Sequence, residues 1–302
     1  MDRLIEDFLQ DLDLSGKTKI TVLHYGYCLK NYAAYLAGKD PLGADKDTLR
    51  GFIGYLKAQG KAQKTIENYF SVLSSFYEYQ VFEGRTAANP VIAVRKRYLK
   101  RYKDNDDGQA RKLISVDDMA NLINSTLDIR DKAVITLLAK TGIRRHELIE
   151  LDVSDVDLIE MKIRLKPTAK RTNRTVFFDD ECSFILRRWL KVRDDMNKMG
   201  ISALFLNAEG ERLNRSGVYN LVTETARRTG LHDPTSERLE DHFGPHCCRH
   251  WFCTHLFRAG MRREFIKELR GDSRKDAFDI YNHIDLKELK EAYLACIPQL
   301  GI

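Results

Sequence analysis

Three short stretches of the sequence carry side chains suited to binding an anion. Arg144 closely follows Gly142, and a guanidinium that emerges just past a glycine turn can extend to reach an anion. His246 and Arg249 stand three residues apart, a spacing that places both on one face of a helix. Tyr281 lies near the C-terminus, before an amphipathic stretch. Each feature alone is common on protein surfaces, whereas their combination in this order and spacing is specific.

Two other stretches resemble nucleotide- or metal-binding motifs but lack an essential residue. Residues 16–18 read Gly-Lys-Thr, like the end of a phosphate-binding loop, yet Asp11 stands where the first glycine belongs and no strand precedes it. His146 begins a stretch similar to a helical zinc motif, but Glu150 replaces the second histidine. We therefore expect no cofactor.

The stretch 245–255 is rich in histidine and cysteine and is the strongest candidate for a metal site. His246 and His250 share a helix face, but no second Cys/His pair stands out elsewhere, and Arg249 between them would repel a cation. We expect no metal. The six cysteines of the chain form no CxxC pair and indicate reduced thiols in a cytosolic protein.

The composition predicts a globular protein of two domains. The chain has 302 residues, 43% of them hydrophobic and 31% charged, which is longer than one typical domain of roughly 100–200 residues. No apolar run approaches the ~20 residues of a membrane helix, and the N-terminal residues lack the order of a signal peptide. We expect a cytoplasmic protein without a membrane partner, and its net charge of +6 permits a polyanionic one.

Apolar periodicity predicts that residues 1–94 form a bundle of four short helices. Apolar residues recur every three or four positions over 25–36, 48–59 and 66–82, after a first amphipathic helix at the N-terminus. Thr65 is the expected N-cap of the last of these helices.

Residues 95–112 are predicted to be a basic linker. They hold eight basic residues against three aspartates, and residues 104–108 show no apolar periodicity. Such a segment is either a solvated loop or a connector between two domains that close around a duplex.

Residues 113–302 are predicted to form a second, mixed domain. Ser115 is the expected N-cap of its first helix, and residues 161–165 and 175–178 are expected to be strands joined by a Lys/Arg-rich turn. Further helices are predicted at 128–140, 144–151, 180–199, 215–229, 245–259 and 262–269, with an amphipathic tail at 286–297. The expected fold class is mainly α with a small β component (α+β).

A resemblance to the tyrosine recombinase (phage integrase) family rests on three stretches: TGIRRHELIEL, PHCCRH and the terminal Tyr281. It extends to KAQKTIENYFSVLSSFYEYQVFEGRTAANP, which is similar to the helical core-binding domain of the family, and so covers nearly the whole chain. The resemblance implies that residues 1–94 bind DNA and that residues 113–302 form the catalytic domain.

The resemblance also implies a role for the anion-binding candidates. Arg144 matches the first arginine of the family's catalytic set. His246 and Arg249 match its His-x-x-Arg pair, and Tyr281 matches its nucleophile.

Two further positions match the family less closely. The family's lysine lies on a hairpin after the first arginine, where we choose Lys170 with Lys166 as the alternate. Asp272 stands where the family usually has histidine or tryptophan. When ionised it cannot donate a hydrogen bond to a phosphate, so it is either protonated, or orients a donor such as His246 or an arginine, or is structural.

The implied reaction is attack of Tyr281 on a DNA phosphodiester. Two arginines can hold the non-bridging oxygens with bidentate, always-charged forks. His246 is placed to accept the tyrosine proton, and a hairpin lysine could protonate the leaving 5′-oxygen. The product is a 3′-phosphotyrosyl enzyme, which stores the bond energy so that religation needs neither ATP nor a metal.

Three functions fit these residues. The leading one is a site-specific recombinase that acts as a homotetramer on two DNA duplexes, in integration, excision or dimer resolution. A type IB topoisomerase-like relaxer or hairpin-forming resolvase would use the same chemistry, and a catalytically silent DNA-binding regulator would use none. The helical N-terminal domain and short C-terminal tail favour the recombinase. The tail is expected either to pack in cis or, as in the resembling family, to dock onto a neighbouring protomer.

Overall fold

The chain falls into two compact units, Met1–Asp106 and Asp107–Ile302. A computed structural model describes residues 2–99, 112–167, 174–272 and 284–302. Lys170 and Tyr281 lie outside these ranges. Among the described residues no helix is both long and apolar enough to cross a membrane.

Within residues 2–99 the N-terminal unit is a bundle of five helices. They are α1 (Asp2–Leu14), α2 (Lys19–Leu36), α3 (Lys46–Ala58), α4 (Gln63–Phe82) and α5 (Val91–Tyr98). Their inward faces bury a core rich in aromatic rings, in which the Tyr77 hydroxyl donates to the Pro41 carbonyl at 2.7 Å. A buried hydroxyl with such a partner avoids the free-energy cost of an unmade hydrogen bond.

The helical prediction for this unit is confirmed, with two corrections. The prediction that Thr65 caps the fourth helix was wrong, because the helix already begins at Gln63 and Ala62 occupies the N-cap position. The fifth helix was not predicted. It starts where the Asn89 side chain accepts the Val91 N–H at 3.0 Å, a local hydrogen bond that apolar periodicity cannot show.

The described part of the C-terminal unit combines eight helices with one small sheet. The helices are α6 (Val116–Asn124), α7 (Ile129–Thr141), α8 (Arg145–Glu150), α9 (Asp180–Met196), α10 (Arg215–Arg228), α11 (Pro245–Arg258), α12 (Arg263–Arg270) and α13 (Leu286–Cys296). The strands are β1 (Val156–Asp157), β2 (Lys162–Leu165) and β3 (Arg174–Phe177).

The predicted fold class, mainly α with a small β component, is confirmed. The sheet is antiparallel in the order β1-β2-β3, with Ile163 opposite Val176. Ser115 caps α6 as predicted, in a reciprocal capping box with Asp118. The sequence missed β1, which is too short to show a period of two.

α7 is a buried helix of this unit and ends at Thr141, shortly before Arg144. Its residues from Ala133 to Thr141 are all buried. Gly142 then adopts a left-handed conformation (φ +60°), and a Cβ there would overlap the Phe252 ring of α11. Glycine is therefore required for α7 to stop and for the chain to turn toward Arg144.

The C-terminal tail packs against its own chain at the last turn of α7. The Tyr293 hydroxyl of α13 donates to the Lys140 carbonyl at 2.9 Å, and the buried Lys140 ammonium donates to the Pro298 carbonyl at 2.8 Å. Lys140 also pairs with Asp179 and Glu181 at 2.5 Å each. Burial raises the pKa of Glu181, but Lys140 and backbone N–H donors of the tail outweigh it and lower that pKa below its usual value. The C-terminal tail is therefore hydrogen-bonded to the end of α7, the helix that precedes Arg144.

Candidate active site

Arg144 occupies the N-cap position of α8, in an extended conformation. Its backbone N–H donates to Glu147 Oε2 at 2.6 Å, and its Nη1 donates to Glu147 Oε1 at 3.3 Å. The side chain remains 39% exposed. The Arg144 guanidinium is thus hydrogen-bonded to the Glu147 carboxylate and is still accessible to an anion from solvent.

Arg249 projects from α11 into the unit and is only 7% exposed. Its Nη1 donates to the Gly142 carbonyl at 2.6 Å, just beyond the end of α7. Burial and the neighbouring charge of Arg144 lower the pKa of Arg249 to about 10. The guanidinium therefore stays charged at neutral pH, but it is desolvated, which strengthens its attraction for an anion.

The backbone carbonyl of Arg270 joins these two arginines at the end of α12. It accepts a hydrogen bond from Arg144 Nη1 at 3.3 Å and another from Arg249 Nη2. A third guanidinium, that of Arg174, donates its Nη1 to the same oxygen at 2.8 Å. Arg144 and Arg249, which are more than one hundred positions apart in the sequence, thus meet at one acceptor.

Asp272 faces the same arginines. Its Oδ1 lies 4.0 Å from Arg144 Nη2 and 3.9 Å from Arg249 Nη2. Its Oδ2 lies 3.1 Å from Arg270 Nε. The Asp272 carboxylate therefore lies within 4.0 Å of the side chains of three arginines.

His246 lies on α11, one turn before Arg249. It occupies the first turn of the helix and is exposed, whereas Arg249 is buried. The His246 imidazole is therefore exposed to solvent, whereas the Arg249 guanidinium on the same helix is buried. In the described parts of the chain no group of three or more His, Cys, Asp or Glu side chains is arranged to hold a metal ion.

Residues 108–288 match the model of the phage integrase family, and residues 5–84 match that of the phage integrase N-terminal SAM-like domain. The tyrosine recombinase XerC of Corynebacterium glutamicum is 30% identical to this chain over 297 residues, covering 98% of it and 92% of that protein. The chain belongs to the phage integrase family. The family resemblance found in the sequence is confirmed, and with it the class of enzyme, a tyrosine-type site-specific recombinase.

Two other matches extend over nearly all of this phage integrase family member. The tyrosine recombinase XerD of Oceanobacillus iheyensis is 27% identical over 311 residues, covering 99% of each chain. The Tn1549 transposon integrase in complex with transposon right end DNA has a TM-score of 0.73 at 18% identity, covering 95% of this chain and 97% of that one. The structural likeness shows that the fold is shared.

The described end of the hairpin in this family member bears on the choice of lysine. Lys166 Nζ lies 2.6 Å from Asp152 Oδ2 and 3.8 Å from Asp155 Oδ2. Asp152 is also bound by Arg212 at 2.6 Å. Partial burial opposes ionisation of Asp152, but these cations hold its pKa well below the usual range. Lys166, the alternate lysine of the sequence analysis, is thus engaged in an ion pair, whereas Lys170 lies outside the described residues.

Arg174 is the member of the site that the sequence did not reveal. It is the first residue of β3, only 4% exposed, and its Nη2 donates to Glu147 Oε2 at 2.9 Å. Burial raises the pKa of Glu147, but Arg174 and the Arg144 backbone N–H outweigh it and lower that pKa. The one available signal was an arginine at the start of a short strand that ends in Val176 and Phe177.

Proposed function

We propose that the protein cleaves and rejoins DNA strands at specific sites through a 3′-phosphotyrosyl intermediate formed by Tyr281. The observation that carries this proposal is the convergence of Arg144 and Arg249 on the Arg270 carbonyl. Two guanidiniums fixed side by side, one of them accessible, form a preorganised receptor for the non-bridging oxygens of one phosphodiester.

The chemical roles follow from the surroundings of each group. Attack by the tyrosine oxygen adds negative charge to the phosphate, which Arg144 and the desolvated Arg249 stabilise. His246, exposed near Arg249, accepts or shuttles the tyrosine proton. Asp272 orients the arginines in this proposal, since its Oδ1 lies 4.0 Å from Arg144 Nη2 and 3.9 Å from Arg249 Nη2.

Lys170 is proposed to protonate the leaving 5′-oxygen. We expect Lys170→Ala to slow cleavage by roughly 10²–10⁴-fold, the usual contribution of a general acid. A substrate with sulfur at the leaving 5′-position should restore most of the rate, because a thiolate leaves without a proton. Single-turnover cleavage of the oxygen and sulfur substrates by the same preparations measures both effects.

Lys166→Ala is the matched comparison for this prediction. Its ion pair with Asp152 is partly exposed, so its loss should cost at most ~1 kcal/mol of stability and leave cleavage close to that of wild type. A defect in Lys166→Ala that sulfur restores, with Lys170→Ala unaffected, would assign the role to Lys166 instead.

The N-terminal unit is proposed to bind duplex DNA together with the basic segment 95–112. Each phosphate contact should add roughly 0.9 to the slope of log K against log salt. We propose that a homotetramer holds two duplexes, because exchange of both strands between two duplexes requires four cleavages. The relatives are named tyrosine recombinases, and the Tn1549 integrase is complexed with DNA. We propose a cytoplasmic location, and integration, excision or dimer resolution as the outcome.

The test uses duplexes that carry candidate sites from beside the gene, with a nick that traps the cleaved strand. Wild-type protein in chelator should form an adduct that survives a denaturing gel, and should exchange strands between two differently labelled duplexes. An adduct without exchange would indicate a relaxing enzyme. Tight, salt-dependent binding without any adduct would indicate a DNA-binding protein that lacks the chemistry.

A further inference from the structure

The candidate site contains a buried arginine that the proposed reaction has not yet used. Arg174 is only 4% exposed, whereas Arg144 is 39% exposed. Its two terminal nitrogens donate to protein oxygens, Nη2 at 2.9 Å and Nη1 at 2.8 Å. We expect its effect on the reaction to pass through those two acceptors.

The Nη1 and Nη2 atoms of Arg174 donate to acceptors that also bind the proposed catalytic arginines. Its Nη2 donates to Glu147 Oε2 at 2.9 Å, and the same oxygen accepts the Arg144 N–H at 2.6 Å. Its Nη1 donates at 2.8 Å to the Arg270 carbonyl, which also accepts from Arg144 and Arg249. One planar fork thus fixes two acceptors that together hold both arginines.

The neighbouring backbone is shaped around this fork. Gly271 has a φ of +68°, and a Cβ added there would overlap the Arg174 guanidinium. Two separate constraints therefore require glycine at position 271: the left-handed backbone conformation and the close approach of Arg174. Gly271 directly follows the Arg270 carbonyl that accepts from the three arginines.

We propose that Arg174 is a positioning residue for the recombination reaction, which it serves by fixing Glu147 and the Arg270 carbonyl and through them Arg144 and Arg249. This inference rests on the proposed function. A lysine at 174 would keep the positive charge but would have a single ammonium in place of two separated donors. It could satisfy one acceptor at a time, which would leave the other free to shift.

The first test compares wild type with Arg174→Lys in single-turnover cleavage at saturating protein, together with duplex affinity. We expect the cleavage rate to fall by about 10²-fold, the effect of displacing a reacting group by an ångström, while affinity stays close to wild type. Gly271→Ala should give the same pattern, because its methyl group displaces the Arg174 fork without changing any charge.

A methylphosphonate at the scissile position distinguishes positioning of the arginines from a purely structural role. A purely structural role would give the same ratio of wild-type to Arg174→Lys rates on both substrates. The methylphosphonate substrate has a methyl group in place of one non-bridging oxygen and carries one negative charge fewer before and during attack, so misplaced arginines should slow its cleavage much less. We expect the ratio of wild-type to Arg174→Lys rates to fall from about 10² on phosphate to within a few-fold on methylphosphonate. An equal penalty on both substrates would overturn the proposal.

Arg193→Lys is the matched control for losing a buried arginine fork. Arg193 is also 4% exposed and donates to the carbonyls of Ala203 and Ile201 at 2.8 and 2.7 Å, away from the site. It should lower the melting temperature without changing cleavage per folded molecule. If wild type cleaves and Arg174→Lys cleaves equally fast, only the role of Arg174 fails. If folded wild type forms no adduct, the proposed function fails and the inference fails with it.

Discussion

Replacing Tyr281 with phenylalanine is expected to abolish the covalent protein–DNA adduct while duplex affinity stays within about twofold of wild type. Phenylalanine keeps the ring but has no oxygen that can attack phosphorus, so neither the adduct nor strand exchange can form. The measurement is a denaturing gel of nicked duplex incubated with each protein in chelator, beside a binding titration of the same duplex.

Tyr293→Phe is the matched control, since it removes a hydroxyl from the other tyrosine near the C-terminus. Burial raises the pKa of Tyr293 well above its ordinary value, and its hydroxyl is engaged with the Lys140 carbonyl. It should form the adduct normally and lose about 1 kcal/mol of stability, the usual worth of one hydrogen bond. An adduct that persists in Tyr281→Phe would assign the nucleophile to another residue.

Arg249→Ala is expected to slow cleavage by at least 10²–10³-fold, the usual cost of removing one preorganised donor from a developing oxyanion. The effect should be large because Arg249 is desolvated, which makes its charge worth more than that of an exposed arginine. Arg249→Lys should recover only a small part of the rate. The lysine keeps a charge but cannot hold the Gly142 carbonyl and a phosphate oxygen with a planar fork.

Single-turnover cleavage per bound complex measures this effect, with Arg227→Ala as the comparison. Arg227 is exposed and already paired with Glu224 at 2.9 Å, so its removal should leave the rate near wild type. Equal rates for Arg249→Ala and wild type would remove Arg249 from the proposed machinery.

The elements of the fold could be predicted because their signals are local. Apolar periodicity gave helix α7, and the Ser115 cap marked the start of α6. The start of α4 and the whole of α5 were missed, because their ends depend on short-range hydrogen bonds that periodicity does not encode. Even so, the helices and strands that were predicted within the described residues occur in the expected order.

The site could be predicted only where a family motif names the residue. Arg144 and Arg249 were found through their motifs, and the structure brings them to one carbonyl. Arg174 was missed because its partners, Glu147 and the Arg270 carbonyl, lie 27 and 96 residues away in the sequence. The surroundings of Asp272 could not be predicted for the same reason, since two of the arginines it faces come from distant segments.

The acceptor of hydrogen bonds from three guanidiniums is a main-chain atom, the Arg270 carbonyl oxygen. This has a consequence for which substitutions the protein tolerates. No substitution at position 270 removes its carbonyl, so a mutational scan should accept many side chains there, at the cost of the ion pair between Arg270 and Asp272. The sensitivity moves to the next residue, where any side chain would overlap the Arg174 guanidinium. Substitution at position 270 therefore cannot remove the acceptor that binds three arginines, whereas substitution of Gly271 would displace one of them, Arg174.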